Sequence, residues 1–328
     1  GSGSGGDAAS DTLSGIENIT GSDNADTLTG DASANTLTGG AGNDTLTGGG
    51  GDDTLTGGAG GDTLTGGAGT DTASYAGSSS GVSIDFISGN MSGGDAAGDT
   101  LTGIENVVGS SHNDTLIGSN RAGVAQGGAG NDFIKGYGGA DTLDGGAGND
   151  ILKGGVGADI LTGGAGNDTL TGGIHTDHLT GGAGSDTFVF GNYHGEDVIY
   201  DFENGVDILD LRTTGLSYGD LNIITSGSNA IVEINNSSEK VTLIGMAGTI
   251  DAGDFLLRTD TADYSGSSSA VTVNLATGET GGGAAGDSLS GIENIIGSAY
   301  ADTLTGDGSA NTLTGGAGND TLTGGAGN

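Results

Sequence analysis

The 328-residue sequence contains no cysteine, proline or tryptophan, and only 6 of its residues are lysine or arginine. Without cysteine the chain forms no disulfide and offers no thiol nucleophile and no cysteine-based zinc or iron–sulfur site. The 43 acidic residues give a net charge of −37, which argues against binding to nucleic acid or to an anionic membrane surface. No long apolar run occurs, so the sequence predicts no transmembrane segment.

Large apolar side chains are scarce as well, since aromatic residues make up 4% of the chain whereas 76 residues are glycine. Such a composition is typical of disordered chains. The order of the residues excludes that interpretation, because a nine-residue unit of the form Gly-Gly-x-Gly-x-Asp-Thr-Leu-Thr recurs through most of the sequence. A fixed period of this kind indicates a stack of short structural units rather than a conventional core.

The acidic position of the unit recurs in three runs along the chain. The acids at this position, called the repeat acids below, are Asp26, Asp44, Asp53, Asp62, Asp71, Asp114, Asp132, Asp141, Asp150, Asp159, Asp168, Asp177, Asp186, Asp302 and Asp320. Asn35, Gly123 and Asn311 stand at the same position of the unit without an acid.

Each unit predicts a turn followed by a short strand. Glycine reaches positive φ at little cost and aspartate tolerates turn geometry, so Gly-Gly-x-Gly-x-Asp predicts a turn. Thr-Leu-Thr predicts a three-residue strand with the leucine on one face. Two units then complete one coil of 18 residues, and successive coils stack about 4.7–4.9 Å apart as parallel strands around an internal leucine ladder. The sequence therefore predicts an all-β parallel β-roll, which is a β-solenoid.

The repeat acids need a metal ion in such a roll. Residues 18 positions apart fall on the same edge of neighbouring coils, where aligned carboxylates repel and few basic residues are available. A hard dication resolves this repulsion, and calcium accepts irregular sets of carboxylates and backbone carbonyls better than magnesium does. One leucine per repeat buries too little surface to offset the entropy of ordering nine residues, so we expect calcium to supply the free energy of folding. Every repeat acid is therefore a predicted calcium ligand.

These repeats resemble the RTX (repeats-in-toxin) family of calcium-binding β-roll proteins, in particular bacterial S-layer and other secreted surface proteins built on such repeats. The resemblance implies a right-handed roll with calcium between turns on the same edge. It also implies export through a type I secretion channel and folding outside the cell. The residues that it places around one calcium are Gly40, Gly42, Asp44, Gly57, Ala59 and Asp62. At Asn35, Gly123 and Asn311, which depart from the family pattern, we expect weak binding or none.

Segments outside the three runs break the period. Residues 75–98 and 259–286 are two copies of one insertion, and each is predicted to contain one alternating strand. A re-entry motif, Gly-Ile-Glu-Asn, follows the insertions at Gly103 and Gly291 and also occurs at Gly15. The runs are therefore expected to be rolls in tandem, each restarted by the same short motif.

Residues 191–258 carry most of the large apolar residues and resemble the β-rich segment that closes the roll in serralysin-type proteases. We predict that this segment is a cap or a spacer. The predicted domains are a first roll (1–74), an insertion (75–98), a second roll (99–190), the cap or spacer (191–258), a second insertion (259–286) and the start of a third roll (287–328), which the chain leaves incomplete.

Other candidate sites have weaker support. His175 and His178 flank Asp177, but both replace exposed residues of the repeat, so a zinc site is disfavoured. Residues 77–81 fit the pattern G-x-S-x-G, but a serine-rich insertion is not the strand–turn–helix context of a catalytic serine. No H-E-x-x-H motif occurs. We therefore predict that the chain is not an enzyme.

The sequence favours a secreted structural protein of the cell surface that folds on extracellular calcium and self-associates into sheets or filaments. Two alternatives stay open. The chain is the calcium-binding secretion module of an exported protease or lipase, or it is an ice- or glycan-binding adhesin. Outward Thr-x-Thr rows in the first run support ice binding, although threonine also suits exposed strands in general.

Overall fold

The computed structural model describes residues 2–4, 16–216, 220–234, 239–257, 261–287, 289 and 292–325. The chain divides into two compact units, one of Gly1–Leu209 with Ile224–Thr249 and one of Asp210–Ile223 with Ile250–Asn328. Gly15 and Gly291, which open two of the re-entry motifs, lie outside the described residues.

The described residues form an all-β structure in which the helices are the short 3-10 turns Gly94–Ala96 and Ala252–Asp254. No helix in this part of the chain has the length and apolarity that a membrane crossing requires. The strands are β1 (Ser2–Ser4), β2 (Asn18–Thr20), β3 (Thr27–Thr29), β4 (Thr36–Ala41), β5 (Thr45–Gly50), β6 (Thr54–Ala59), β7 (Thr63–Ala68), β8 (Thr72–Ser74), β9 (Ser83–Asp85), β10 (Asn90–Ser92), β11 (Thr100–Thr102), β12 (Asn106–Val108), β13 (Thr115–Ile117), β14 (Val124–Ala129), β15 (Phe133–Gly138), β16 (Thr142–Ala147), β17 (Ile151–Val156), β18 (Ile160–Ala165), β19 (Thr169–Ile174), β20 (His178–Ala183), β21 (Thr187–Val189), β22 (Glu196–Ile199), β23 (Ile208–Asp210), β24 (Asn222–Ser226), β25 (Asn229–Ile234), β26 (Glu239–Leu243), β27 (Phe255–Leu256), β28 (Thr261–Asp263), β29 (Val271–Asn274), β30 (Glu279–Gly282), β31 (Asn294–Ile296), β32 (Thr303–Thr305), β33 (Thr312–Thr314) and β34 (Thr321–Thr323).

Consecutive repeat strands alternate between two sheets, and each strand pairs in parallel with the strand one coil further along the chain. In the first roll Leu37 of β4 pairs with Leu55 of β6. In the second roll Leu143 of β16 pairs with Leu161 of β18. Equivalent residues are therefore 18 positions apart, which confirms the predicted coil, the parallel pairing and the β-roll.

Most repeat strands contain six residues rather than the three predicted, because pairing continues beyond Thr-Leu-Thr. In β4, Gly40 and Ala41 pair with Gly58 and Ala59 of β6. The φ of Gly40 is 117°, which glycine adopts readily and other residues rarely do. The strand therefore bends into the turn without leaving the ladder, and the turn is shorter than the sequence pattern predicts.

The core of the roll is one apolar column behind each sheet. In β5, Leu46 is buried, whereas Thr45 is exposed and Thr47 is half-buried, as expected for side chains that alternate along a strand. The members of the columns that are completely buried include Leu37, Leu46, Leu55, Leu116, Ile134, Leu152, Leu161, Leu170, Leu179 and Phe188. Most repeats therefore contribute one large side chain to the core, whereas Ala73 and Ala125 take this position in two strands.

Three sheets build the rolls of the first unit. The first sheet has the order β1-β3-β5-β7-β11, and the third sheet contains β10-β9-β13-β15-β17-β19-β21-β23. The second sheet takes the alternate strands β2-β4-β6-β8-β12-β14-β16-β18-β20-β22 and continues into β26 and β25. The second sheet therefore continues from the first roll into the second. Opposite it, the first sheet ends at β11 and the third sheet begins with the hairpin of the first insertion.

The first insertion contains two strands, so the prediction of a single strand in residues 75–98 was wrong. β9 pairs in parallel with β13 of the second roll and antiparallel with β10, which adds a hairpin to the third sheet. The second insertion repeats this pattern, with β29 parallel to β32 and antiparallel to β30. The chain reverses at Gly89 and Gly278, whose φ values of 72° and 71° suit glycine.

The β-rich segment after the second roll continues the second sheet. β22 pairs in parallel with β20 and with β26, and β26 pairs antiparallel with β25. Val232, Ile234, Val241 and Leu243 of the last two strands are fully buried. This segment thus continues the second sheet beyond its last repeat strand and adds further buried apolar side chains.

The second unit contains the strands of the third run. β28, β31 and β33 are parallel, as are β29, β32 and β34. Its core consists of Val271, Val273, Ala284, Ile295 and Leu304. The step between paired repeat strands is again 18 residues, as for Leu304 and Leu322.

Candidate metal sites along the edges of the roll

Backbone N–H groups link the repeat acids into ladders along the edges of the roll. The N–H of Asp26 donates to Oδ1 of Asp44 at 2.8 Å, and the N–H of Asp44 donates to Oδ1 of Asp62 at 2.7 Å. The further links of this kind run from Asn35 to Asp53, Asp53 to Asp71, Asp114 to Asp132, Asp132 to Asp150, Asp150 to Asp168, Asp168 to Asp186, Gly123 to Asp141, Asp141 to Asp159, Asp159 to Asp177 and Asp302 to Asp320. The structure thus brings the predicted ligands together one coil apart.

Two acids just after the first insertion join these ladders although the nine-residue period does not reveal them. The N–H of Asp62 donates to Oδ1 of Asp99 at 2.7 Å, and the N–H of Asp71 donates to Oε2 of Glu105 at 3.0 Å. The steps are 37 and 34 residues. A signal was present, because Asp99 begins a copy of Asp-Thr-Leu-Thr and Glu105 belongs to the re-entry motif.

Two further acids end the ladders in the segment after the second roll. The N–H of Asp177 donates to Oδ1 of Asp197 at 2.8 Å, and the N–H of Asp186 donates to Oδ1 of Asp207 at 2.9 Å. These steps are 20 and 21 residues, so a search for acids 18 residues apart does not find Asp197 and Asp207. The ladders therefore extend beyond the repeats at this end.

The second carboxylate oxygen of the interior ladder acids is buried and accepts no hydrogen bond. Within the described residues, this holds for Oδ2 of Asp44, Asp53, Asp62, Asp71, Asp132, Asp141, Asp150, Asp159, Asp168 and Asp177. A buried carboxylate without a partner is costly, and it is found in proteins where a cation or another charge compensates it. These ten oxygens are therefore the strongest structural indication of bound cations.

Beside seven of these ten oxygens, a carbonyl of the next coil crowds the same glycine. A Cβ on Gly39 would collide with Oδ2 of Asp44 and would lie 2.6 Å from the carbonyl oxygen of Gly57. The same crowding recurs at Gly145, whose Cβ would meet Oδ2 of Asp150 and the carbonyl oxygen of Gly163. Only glycine leaves room for two oxygens at this point. The resulting pair of carboxylate and carbonyl oxygens is the donor chemistry that calcium prefers.

The other residues predicted around the first calcium lie in the same turns. Gly40 and Gly42 have φ values of 117° and 116°, and their carbonyl oxygens face Gly58 and Gly60 of the next coil. The carbonyl oxygen of Ala59 accepts a hydrogen bond of 2.8 Å from the N–H of Gly42. The structure therefore places the carboxylate of Asp44 near the carbonyl of Gly57. The carbonyls of Gly40 and Gly42 point toward the next coil.

Backbone oxygens are needed to complete any calcium site on these edges. No three His, Asp or Glu side chains converge on one point in the part of the chain that the structure describes. A site built from the ladder acids therefore combines carboxylates of neighbouring coils with carbonyls of the glycine-rich turns. This mixed set of oxygens suits calcium, which takes six to eight oxygen ligands in flexible geometry.

Burial raises the pKa values of the interior ladder acids, and the neighbouring carboxylates raise them further. The pKa is raised to about 7 for Asp132 and Asp177, and to about 6 for Asp62, Asp141, Asp168 and Asp186. An acid with a raised pKa disfavours its own charged form. In the roll without a cation, burial therefore favours protonation of these carboxylates. A bound cation stabilises their charged form and offsets the cost of burying it.

The acid that begins a run is satisfied by a serine of its own turn. The pairs are Ser22 with Asp26, Ser110 with Asp114, and Ser298 with Asp302. In each pair the serine N–H donates to Oδ2, at 2.6, 2.5 and 2.6 Å respectively, and the serine hydroxyl donates to the same carboxylate. In these turns serine replaces the second glycine of the repeat. The carboxylates of these three predicted ligands therefore have protein partners already.

Three of the acids that end ladders, Asp99, Asp197 and Asp207, are also satisfied by the protein itself. The hydroxyl of Tyr75 donates to Oδ2 of Asp99 at 2.8 Å, and the Tyr264 hydroxyl donates to Asp287 in the same way in the second insertion. The buried ring of His194 lies 2.7 Å from Oδ2 of Asp197. Oδ2 of Asp207 accepts the N–H of Glu203 at 2.8 Å. Among the described residues, the buried carboxylate oxygens without a hydrogen-bond partner thus belong to acids that have a further ladder acid beyond them.

Asparagine at the acidic position lacks the second oxygen, and its single side-chain oxygen accepts a hydrogen bond from its own turn instead of from the preceding coil. Oδ1 of Asn35 accepts the N–H of Asp31 at 2.7 Å, and Oδ1 of Asn311 accepts the N–H of Asp307 at 2.8 Å. The Nδ2 atoms of both asparagines are buried without a hydrogen-bond partner. An amide nitrogen is no ligand for calcium. The expectation of weak binding at these places stays a prediction that this geometry supports.

The remaining candidate sites from the sequence have ordinary structural roles. His178 packs edge-on against Tyr200, with 5.5 Å between the ring centroids. Ser78 donates to the carbonyl oxygen of Ser80 at 2.8 Å and accepts the N–H of Asp95 at 3.0 Å, which fixes the loop of the first insertion. The G-x-S-x-G pattern, whose central serine is Ser79, thus belongs to a loop that Ser78 stabilises.

Comparisons with known proteins agree with this geometry. A family model described as RTX calcium-binding nonapeptide repeat (4 copies) matches residues 11–46, 20–55, 38–73, 117–152, 153–188 and 296–328. No curated protein matches the chain.

Among solved structures, an extracellular lipase from Serratia marcescens is similar over 76% of this chain and 41% of its own, with 20% identity and a TM-score of 0.30. The chain thus spans less than half of the length of that lipase. The R3 subunit of a mannuronan C5-epimerase from Azotobacter vinelandii matches 44% of this chain and 78% of its own, with 26% identity and a TM-score of 0.22. The R2 subunit matches 46% of this chain and 92% of its own, with 28% identity and a TM-score of 0.25.

Proposed function

The chain belongs to the family of RTX calcium-binding nonapeptide-repeat proteins, and from this premise we propose that it is an exported structural protein whose rolls fold on calcium and self-associate into sheets or filaments. One observation supports the calcium dependence above all others. Ten interior ladder acids each bury a carboxylate oxygen that has no hydrogen-bond partner in the described part of the chain. A fold with so many unsatisfied carboxylates needs cations to be stable.

The proposed calcium ligands are the interior ladder acids together with the turn carbonyls of the adjoining coil. When bound, calcium neutralises the stacked carboxylates and supplies a positive charge that their unpartnered oxygens coordinate. The chain positions these oxygens through the N–H links of the ladders, such as that from Asp132 to Asp150, which hold each carboxylate in one orientation. The glycines of the turns leave the space that the oxygens occupy. The acids whose carboxylates already have protein partners are weaker candidates, namely Asp26, Asp114, Asp302, Asp99, Asp197 and Asp207.

Export follows from the same chemistry in this proposal. An unliganded chain with a net charge of −37 and one large apolar residue per repeat has little tendency to fold. Such a chain stays unfolded where calcium is scarce and folds where calcium is abundant. The roll itself is a structural calcium-binding module, and we place no catalytic step on it.

Self-association is tested by sedimentation velocity and electron microscopy of the purified chain in millimolar calcium and in EGTA. We expect large ordered assemblies in calcium and dispersed chains in EGTA, because only folded rolls offer a defined surface. A folded, monodisperse monomer in calcium would contradict assembly and would support the alternative of a secretion module from an exported enzyme.

A further inference from the structure

The outward-facing columns of the second roll differ from those of the first. In the first roll these columns are rows of threonine, for example Thr45 beside Thr63 and Thr36 beside Thr54. In the second roll several threonines are replaced by apolar or charged residues, on the second sheet and on the third. These replacements change the outward surface of the second roll.

On the third sheet, the second roll presents an apolar pair beside a basic pair. Phe133 of β15 is next to Ile151 of β17, and Lys135 is next to Lys153 in the same two strands. Ile151 is 42% exposed. Nζ of Lys135 lies 3.7 Å from the centroid of the Tyr137 ring, and Nζ of Lys153 lies 5.8 Å from that of Phe133. The aromatic rings hold both ammonium groups over this face.

The two lysines have no acidic partner of their own in the described part of the chain, where no carboxylate lies within ion-pair distance of either. Like charges on neighbouring strands repel. The chain has 6 basic residues against 43 acidic ones, so two adjacent lysines at one place are an unfavourable arrangement in the isolated roll. An acidic surface placed over this face removes that repulsion.

The second sheet presents the complementary surface of the same roll. Val124 and Ile160 flank Thr142 in adjacent strands and are 36% and 47% exposed. Asp144 lies two residues after Thr142 in β16, on the same outward face, and forms no ion pair among the described residues. This face therefore has an apolar column and, two residues further along the strand, an acidic position.

We propose that the third-sheet face of the second roll in one copy packs on the second-sheet face of the second roll in another copy. The apolar columns of the two faces then meet, and Asp144 of one copy faces Lys135 and Lys153 of the other. In both faces the charge lies two residues along the strand from the apolar column, so the spacing along the strands matches. The contact joins two different faces, and such a heterologous contact builds an open filament unless its rotation closes a ring. This inference rests on the proposed self-association and specifies which two faces of the second roll form the contact.

The test is a charge exchange followed by sedimentation velocity in millimolar calcium. Lys135→Glu with Lys153→Glu places acids on both faces, and Asp144→Lys places bases on both. We expect each variant to weaken assembly more than about tenfold, because like charges then oppose each other across the contact. The variant that carries all three changes restores opposite charges, and we expect it to assemble as the unchanged chain does.

Thr56→Lys is the matched control, because Thr56 occupies the outward position of Asp144 on the second sheet of the first roll. We expect it to leave assembly unchanged. Circular dichroism in calcium checks that each variant folds, and Lys135→Gln with Lys153→Gln, or Asp144→Asn, replaces any charge reversal that does not.

If the unchanged chain assembles and the exchanged charges have no effect, or the triple variant is not restored, this contact is wrong and the proposed assembly stands. If the unchanged chain remains monomeric when folded, both are wrong.

Discussion

Replacing Asp150 with asparagine is expected to weaken calcium binding by about tenfold or more at the centre of the second roll, since calcium affinity depends on the number of charged ligands. The variant exchanges one carboxylate oxygen for an amide nitrogen, so its single oxygen no longer serves both the N–H of Asp132 and a cation. Asn35 shows that a buried asparagine fits this position of the ladder. The change therefore removes a ligand and one charge without disturbing the packing.

Calcium bound per chain, measured by equilibrium dialysis, and the calcium concentration at half-folding, measured by circular dichroism, report this effect. Asp114→Asn is the matched control. Asp114 occupies the same ladder but has Ser110 as a partner, so the variant loses about one hydrogen bond, or about 1 kcal/mol, and keeps the calcium midpoint nearly unchanged. Equal shifts of the midpoint in both variants would contradict the distinction between interior and terminal ladder acids.

Replacing Gly145 with alanine is expected to destabilise the calcium-bound roll by about 1–3 kcal/mol, the usual cost of overpacking, and to reduce the calcium bound. The new Cβ would collide with Oδ2 of Asp150 and would lie 2.6 Å from the carbonyl oxygen of Gly163. Both oxygens belong to the proposed site, so neither can move away without losing its place there. Calorimetric unfolding in millimolar calcium measures the destabilisation.

Gly77→Ala is the control for this substitution. Gly77 lies in the loop of the first insertion, and a Cβ there would meet no atom within 4 Å. At such a position alanine is neutral or slightly stabilising, because it restricts the unfolded chain. A destabilisation of the same size in both variants would mean that the crowding at Gly145 has no special role.

The repeat pattern predicted the coil and its register, because each unit contains all the information that its strand needs. Leu143 and Leu161 pair as expected from two units per coil. The strand length was not predictable in the same way. Gly40 and Ala41 become strand residues through pairing with Gly58 and Ala59 one coil away, and no local preference of glycine indicates this.

The ladders were predictable only where the period is regular. Asp99 and Asp197 follow their partners Asp62 and Asp177 by 37 and 20 residues, because the insertion and the following segment change the length of the coil. The serine partners of the first acids were missed for another reason. Ser110 and Asp114 are four residues apart, and the folding of their turn decides whether the serine or a cation satisfies the carboxylate.

The dependence of the fold on calcium is tested most directly by far-ultraviolet circular dichroism of the whole chain, first in EGTA and then during titration with calcium. We expect a largely unfolded spectrum in EGTA and a cooperative rise of the β signal as calcium is added. Only then do the ten unpartnered carboxylate oxygens have a cation to coordinate. A complete β spectrum in EGTA that calcium leaves unchanged would contradict this account of how the chain folds.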